Sequence, residues 1–308
     1  MKSILFKIFL VITGAVVLVI STIKINDEIV FNFNKDVWHI VDDMETRIET
    51  YSDLLYSYRG LFYSQKEVTQ DEWIIYNKSL IINERYGKTL EVMYIDAIRD
   101  KNLQKKEEIE NLSNLDYHYI IKYFYGNSNL EQYVNEDVSS NNLRLELLNK
   151  ARDTGEVVSS PPLKLLYSER EAVIIYLPVY KAGKKFDTLE EKRTNLEGFV
   201  SIIIPVNEIE IKLLSKELIN TLRVNIKDKE TNSLIYANGN EDDNYTMTKI
   251  INFQFADRAW EMRFCTYTFT YLSPSQRILI LVIFIFSLLF VLDLSIRTIS
   301  NRKKRLVD

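Results

Sequence analysis

The side chains best suited to metal binding and nucleophilic catalysis are scarce in this chain. Its 308 residues include two histidines, His39 and His118, and a single cysteine, Cys265. Zinc and similar ions need several His, Cys or carboxylate ligands at regular spacings, so no metal site is expected. Cys265 follows Phe264 in a strand-like pattern, which predicts a buried, inert thiol. We therefore expect no enzymatic activity and no cofactor in this chain.

Nucleotide-binding glycine motifs are also missing from the sequence. Gly87-Lys88-Thr89 looks like the end of a phosphate-binding loop, but Ile82 stands where that motif requires its first glycine. Neither GxGxxG nor GxSxG occurs among the eight glycines. The net charge is only -4, so nucleic acid is not expected as a partner.

Tyrosines in strand-like segments are the remaining candidates for a binding site. Tyr94, Tyr119, Tyr123 and Tyr176 can wall a small-molecule pocket, because tyrosine combines a large apolar ring with a polar hydroxyl. The same side chains can instead fill the hydrophobic core. The sequence leaves both interpretations open.

The elements that would position these residues are a long helix followed by two groups of strands. Apolar residues recur at three- and four-residue steps from about Asp27 to Tyr63, which predicts a stalk helix. Thr69, with Glu72 three residues on, predicts the start of a second helix that runs up to Gly87. Strands are predicted at Leu90–Ile98, Tyr117–Tyr125, Leu163–Tyr167, Ala172–Tyr180 and Gly198–Pro205, then at Leu222–Asp228, Ser233–Ala237, Ile250–Ala256 and Trp260–Phe269, with helices at Leu143–Arg152 and Asn207–Leu218. This order predicts an α+β fold, a long N-terminal stalk helix followed by tandem PAS-like antiparallel-sheet subdomains.

Apolar stretches bracket this body, one from Ile8 to Ile23 and one from Ile278 to Leu292. With their apolar neighbours, both approach the length of roughly 20 residues that a membrane-spanning helix needs. Lysine and arginine are concentrated after the second stretch, in the run Arg302 to Arg305. Basic flanks mark the cytoplasmic side of a membrane, so both termini should be cytoplasmic and the central domain extracytoplasmic. The sequence thus predicts a cell-membrane protein with two transmembrane helices.

Six segments follow from these patterns. They are transmembrane helix 1 at residues 1–25, the stalk helix at 26–68, a membrane-distal PAS-like subdomain at 69–209, a membrane-proximal PAS-like subdomain at 210–275, transmembrane helix 2 at 276–297, and a basic cytoplasmic tail at 298–308.

Short runs between Arg59 and Ile209 follow one another in a distinctive order. They are Arg59-Gly60-Leu61-Phe62, Val68-Thr69 with Trp73, Asp137-Val138-Ser139-Ser140, Lys150-Ala151-Arg152-Asp153-Thr154-Gly155, Ser160-Pro161-Pro162-Leu163, Tyr176-Leu177-Pro178-Val179-Tyr180-Lys181 and Leu196-Glu197-Gly198. In order and spacing these runs resemble the CHASE domain. That domain is the extracellular sensor module of bacterial transmembrane receptors and of plant cytokinin receptor kinases.

The resemblance implies a set of ligand-binding residues. An Asp at the position of Asp137 hydrogen-bonds an adenine-type ligand in the plant receptors, and a pocket-lining Thr corresponds to Ser160. Gly198 joins these candidates as a position that shapes the backbone. Asp137 can also act as an N-cap, either of the helix that begins at about Leu143 or of the turn that precedes that helix. Both roles of Asp137 remain open at this point.

The resemblance further implies a bacterial membrane receptor. A small-molecule ligand would bind the membrane-distal subdomain and shift the stalk helix relative to the second span, which requires different ligand affinity in two states of the domain. The expected partners are a second copy of the chain along the stalk and a cytoplasmic kinase or cyclase output domain. The alternative is a two-span membrane anchor whose domain binds another extracytoplasmic protein.

Overall fold

A computed structural model describes residues 2–65, 67–85, 90–99, 117–126, 130–165, 170–206, 218, 221–240 and 243–305. Three features singled out in the sequence fall wholly or partly outside these residues. They are the helix predicted at Asn207–Leu218, the end of the strand predicted at Leu163–Tyr167, and Gly87-Lys88-Thr89.

Helices and antiparallel strands follow one another in the order that the sequence predicts for an α+β fold. The helices are α1 (Lys2–Ser64), α2 (Gln70–Ser79), α3 (Ile82–Arg85), α4 (Asn142–Thr154), α5 (Leu189–Asn195) and α6 (Pro274–Arg305). The strands are β1 (Glu91–Arg99), β2 (Tyr117–Tyr125), β3 (Val158–Ser159), β4 (Leu163–Lys164), β5 (Glu171–Tyr180), β6 (Leu196–Pro205), β7 (Arg223–Asp228), β8 (Leu234–Ala237), β9 (Met247–Phe255) and β10 (Arg258–Thr266). Short 3-10 helices lie at Leu130–Tyr133, Val138–Ser140 and Thr268–Tyr271. The strand β3 and the helix α5 were not predicted.

The chain divides into two compact units, the first of which holds residues 1–38, 245–247 and 266–308. In this unit the Tyr271 hydroxyl donates to Asp36 Oδ2 at 2.9 Å, and Gln276 Nε2 donates to Glu28 Oε2 at 2.8 Å. Within the described part of the chain, no helix has both the length and the apolar character needed to cross a membrane. The second unit holds residues 39–244 and 248–265, and therefore most of both sheets.

The larger sheet lies at the centre of the second unit. Its strands follow the order β2-β1-β6-β5-β3, with β4 also paired to β5, and these strand pairs are antiparallel. Nine of the ten residues of β5 are buried, and nine of ten in β6. A strand buried on both faces has a nearly continuous apolar sequence, because side chains from both faces enter the core.

One face of this sheet is covered by the end of α1 and by α2. The Phe62 ring stacks on Tyr94 with ring centroids 4.0 Å apart, and Trp73 stacks on Tyr123 at 5.7 Å. Thr69 caps α2 through both halves of a capping box, as predicted. The helix does not continue to Gly87, because Ile81 takes a φ of 50° and so cannot extend a right-handed helix.

The opposite face of the sheet is covered by α4. The Asn141 side chain accepts a hydrogen bond from the Arg144 N–H and begins the helix, and Gly155, with a φ of 81°, ends it. Leu147, Leu148 and Ala151 point toward the sheet and are buried. These buried residues pack the helix on this face of the sheet.

A β-bulge in β2 changes which face each side chain occupies. Tyr94 pairs with Tyr123 whereas Ile95 pairs with Ile121, so Lys122 is an extra residue in β2. Side chains alternate along a regular strand, and one extra residue reverses that alternation. Tyr123 therefore lies on the α1 face and stacks on Tyr94, whereas Ile121 belongs to the core cluster on the α4 face.

The smaller sheet has the order β8-β7-β10-β9. Its core contains Ile226, Trp260 and Phe264, all fully buried, and Cys265 is buried as predicted. Arg258 donates two hydrogen bonds to Asp228, at 2.6 and 2.7 Å. The strand predicted at Trp260–Phe269 extends only to Thr266, where β10 ends before the 3-10 helix.

Candidate ligand-binding site

A cavity lies between the larger sheet and the elements that cover its α4 face. Four strands, β1, β2, β5 and β6, form its floor. Their side chains there are those of Met93, Ile95, Ile121, Ile174, Tyr176 and Ile203. Its other walls are Tyr133, Val138, Arg144 and Leu165. About 370 Å³ is free of protein atoms, part of it outside the mouth. The enclosed part has room for about one water molecule, so the described conformation is a closed one.

Arg144 is the charged residue of this cavity. It stands in the first turn of α4 and is only 6% exposed. Among the described residues, no carboxylate forms an ion pair with its guanidinium. Burial raises the pKa of the neighbouring Tyr176 to about 12, and the positive charge of Arg144 acts in the opposite direction. A buried cation without an acid partner is unusual, because desolvating a charge is costly.

A second polar group lies in the sheet beneath the cavity. Ser201 pairs with Met93 on one side and with Tyr176 on the other, and both of these residues line the cavity. Ser201 is fully buried, and its Oγ has no hydrogen-bond partner within the described residues. Buried hydroxyls are usually hydrogen-bonded, so this one is a candidate contact for a bound molecule.

Asp137 holds a turn at the edge of the cavity. Its carboxylate accepts the Ser139 N–H at 2.9 Å and the Tyr119 N–H at 3.3 Å, and it lies 2.9 Å from Nδ1 of buried His118. It caps the 3-10 helix at Val138–Ser140, the turn before α4, rather than α4 itself. Asp137 therefore fixes the backbone of the cavity wall through its neighbour Val138.

Ser160 and Gly198 lie within the backbone framework of the sheet. The Ser160 hydroxyl accepts the Ile174 N–H at 2.9 Å, while the Ser160 N–H donates to the Ile174 carbonyl at 2.8 Å. A Cβ on Gly198 would lie 2.3 Å from the Ile95 carbonyl oxygen and 2.6 Å from the Tyr94 hydroxyl. Neither residue is among those that line the cavity, although Ile174 and Ile95 are.

The four candidate tyrosines occupy different places. Tyr176 lines the cavity, whereas Tyr94 and Tyr123 lie on the opposite face, where the Tyr123 hydroxyl donates to the Val68 carbonyl at 2.5 Å. Tyr119 belongs to the core cluster on the cavity side, and its hydroxyl donates to Asn149 Oδ1 at 2.9 Å. Of the seven sequence-predicted residues, the structure thus places Tyr176 in the cavity floor and Asp137 beside the cavity.

A second, wider groove lies on the α1 face. It contains Asp96, Lys122 and Glu197 beside Tyr94 and has about 610 Å³ of open space, solvent included. Burial raises the pKa of Asp96, and Lys122 Nζ at 3.8 Å partly offsets this effect. Burial and the charge of Asp96 raise the pKa of Glu197. The charges of this groove are thus partly balanced by Lys122.

The last two turns of α4 connect the cavity wall to other elements. Lys150 Nζ lies 2.6 Å from Oδ2 of Asp257, in the turn between β9 and β10, and Asp257 Oδ1 accepts the Ser159 N–H at 2.6 Å. At the end of the helix, partial burial would raise the pKa of Asp153, but hydrogen bonds from Arg193 and Arg152 hold it at about 2. The helix that presents Arg144 is therefore tied to β3, to α5 and to the smaller sheet.

Arg144 and Ser201 were missed in the sequence, although Arg144 carries a signal there. It precedes Leu147, Leu148 and Ala151 by three, four and seven residues, the spacing of one helix face. Charged residues are rarely buried, so a cation on an otherwise apolar helix face indicates a specific role. Ser201 carries no such signal, because serines occur in many buried strands.

Comparison with known proteins gives the family. The CHASE domain model matches residues 66–236. No curated protein matches the chain.

Several solved sensory domains are structurally similar at low sequence identity. "Methyl-accepting Chemotaxis protein X" is 8% identical, with 76% of this chain and 96% of that chain covered and a TM-score of 0.49. The ligand-binding domain of the Pseudomonas aeruginosa amino acid chemoreceptor PctC, solved with GABA, is 8% identical, with 76% and 98% covered and a TM-score of 0.46. The periplasmic sensory domain of Campylobacter jejuni Tlp1 is 11% identical, with 79% and 94% covered and a TM-score of 0.40.

The family match is the stronger finding, since it spans more than half of the 308 residues and includes the larger sheet, α4 and the cavity between them. It also agrees with the order of sequence runs from Arg59 to Gly198. The chain belongs to the CHASE domain family.

Proposed function

We propose that this protein is a membrane-anchored sensor whose CHASE domain binds a small molecule in the cavity between the larger sheet and α4. The observation that carries the proposal is the cavity itself, an apolar recess with a few convergent polar groups on the face that α1 leaves free. Tyr176 is the candidate direct contact among the sequence-predicted residues. Asp137, Ser160 and Gly198 act by fixing the backbone around it.

The closed state of the cavity supports a two-state mechanism. Because its enclosed part has room for about one water molecule, a larger ligand requires α4 or the turn at Val138 to move outward. A ligand that binds only the open state shifts the population toward it. Movement of α4 would act on the smaller sheet through the contact of Lys150 with Asp257.

We propose that the two ends of the chain anchor it in the cell membrane and pass the signal on. This is supported by their apolar side chains, which are exposed in large part: Val17 is 61% exposed, Phe284 64% and Phe286 69%. Such surfaces are stable in lipid. In this proposal residues 1–25 and 276–297 are the spans, 26–68 the stalk, 69–209 and 210–275 the two subdomains, and 298–308 the cytoplasmic tail.

Two partners complete the proposal. A second copy of the chain would pair along the stalk, and a cytoplasmic kinase or cyclase would receive the signal. Both remain proposals that follow from the family's usual arrangement.

The experiment is a thermal-shift screen of the full chain in lipid nanodiscs against a broad library of cell metabolites. A ligand that binds the folded state stabilises it by mass action and so raises the melting temperature. At a hundredfold excess of ligand over its Kd, the gain in the free energy of unfolding is about 2.7 kcal/mol. The matched control replaces Ile174 in the cavity floor by Trp, which fills the recess. A hit that stabilises the wild-type chain and not Ile174→Trp supports the proposal. Stabilisation of both proteins alike would place the ligand elsewhere and refute it.

A further inference from the structure

We propose that the ligand of this cavity carries a carboxylate on an apolar body, and that the guanidinium of Arg144 binds the carboxylate. The inference rests on the proposed function, since it takes the cavity as the ligand site. It adds the chemical class of the ligand and the residue that selects it.

The charge of Arg144 favours an anionic ligand. An arginine keeps its proton under all ordinary conditions, so this buried group is a permanent cation. It is 94% withdrawn from solvent, and no acid of the described chain offsets it. A planar guanidinium matches a carboxylate through two parallel hydrogen bonds, which makes arginine well suited to binding that group. An incoming carboxylate would therefore supply the partner that the fold does not.

The position of Arg144 in α4 also favours an anionic ligand. The N-terminal end of a helix carries a partial positive charge, which favours acids and disfavours cations. The first turn of α4 nevertheless contains no acid, and Arg144 is part of it. A cation placed there does not serve the stability of the helix. Together with the partial positive charge of the helix end, it makes this end of the cavity favourable to an anion.

The remaining walls define the rest of the ligand. Arg144 is the charged residue among those that line the cavity, and the floor is dominated by Met93 and four isoleucines. One cation balances one negative charge, so a monocarboxylate fits better than a phosphate with two. Ser201, whose buried Oγ has no partner within the described residues, can donate to a polar atom of the ligand above the floor.

The test uses pairs of probes that differ only in charge. They are isovalerate against isovaleramide and phenylacetate against phenylacetamide, each titrated into the full chain in nanodiscs at neutral pH. The proteins are the wild type, Arg144→Gln and the control Lys184→Gln, which removes a positive charge from the exposed loop between β5 and α5. We expect at least one acid to stabilise the wild type and Lys184→Gln, its amide to bind at least tenfold more weakly, and Arg144→Gln to lose the response.

A second measurement separates ligand binding from a structural role. Without ligand, Arg144→Gln should melt about 2–4 °C higher than the wild type, because the substitution removes an uncompensated buried charge. A lower melting temperature would mean that Arg144 stabilises the fold, and would overturn the assignment.

The other outcomes are equally decisive. The carboxylate inference is overturned if the amides bind as well as the acids or if Arg144→Gln keeps its response. It is also overturned if the wild type responds to neither member of any pair. The broader proposal fails separately, since a neutral metabolite that stabilises the wild type and not Ile174→Trp would keep the cavity as a sensor site.

Discussion

Replacing Asp257 by Ala should destabilise the second unit measurably, although Asp257 lies in a turn. Its Oδ1 accepts the N–H of fully buried Ser159 at 2.6 Å, and its Oδ2 pairs with Lys150. Leaving a buried N–H without an acceptor costs about 1–3 kcal/mol. The pair with Lys150, which is 47% exposed, adds less than about 1 kcal/mol because water screens it. We therefore expect Asp257→Ala to lose about 2–3 kcal/mol.

Asp257→Asn is the matched variant, because its amide oxygen still accepts the Ser159 N–H while the ion pair is removed. We expect a loss below about 1 kcal/mol for this protein. The assay is urea denaturation of the full chain followed by circular dichroism, in which a loss of 2–3 kcal/mol moves the midpoint by about 1 M. Equal midpoints for the Ala and Asn variants would refute the reasoning, since the hydrogen bond to Ser159 would then contribute nothing.

Four further substitutions test the framework of the cavity and its surroundings. Gly198→Ala places a Cβ 2.3 Å from the Ile95 carbonyl oxygen and should lower the free energy of unfolding by about 1–3 kcal/mol. The control Gly60→Ala, at an open helical position, should raise the free energy of unfolding by up to about 1 kcal/mol in the same denaturation assay. The folded-state pKa of Asp153 is depressed to about 2, so the contribution of this carboxylate to stability is complete above about pH 4 and is lost as the pH falls from about 4 toward 2. Asp153→Asn should therefore remove this part of the pH dependence of the urea midpoint. Asp137→Ala should cost about 1–2 kcal/mol through the lost cap, and a protein that instead keeps its melting temperature but loses its metabolite response would assign Asp137 to the ligand.

The elements governed by local chemistry could be predicted from the sequence. The capping box at Thr69 starts α2 where predicted, and the apolar, β-branched runs of β5 and β6 form the central strands. Helix ends set by unusual backbone could not be predicted. Ile81 adopts a φ of 50° although β-branched residues disfavour it, and only the packed structure decides this.

The site was less predictable because it depends on strand register. Tyr119 and Tyr123 are four residues apart and would share a face in a regular strand, yet the extra residue Lys122 places them on opposite faces. A bulge of this kind leaves no mark in hydrophobic alternation when both faces are buried. Arg144 could have been found from the sequence, because its spacing from the leucines that follow places it on the apolar face of α4. A charged residue on such a face is unusual and indicates a specific role.

The organisation of α4 has a consequence for how receptors of this type diversify. Arg144 and Lys150 are six residues apart, which separates the proposed carboxylate contact from the contact with Asp257 by about 9 Å along one helix. Residues of the first turn can therefore be exchanged to accept a new chemical class while the later turns keep the same mechanical output. Swapping only that first turn between homologues would be a compact route to biosensors with a new input and an unchanged response.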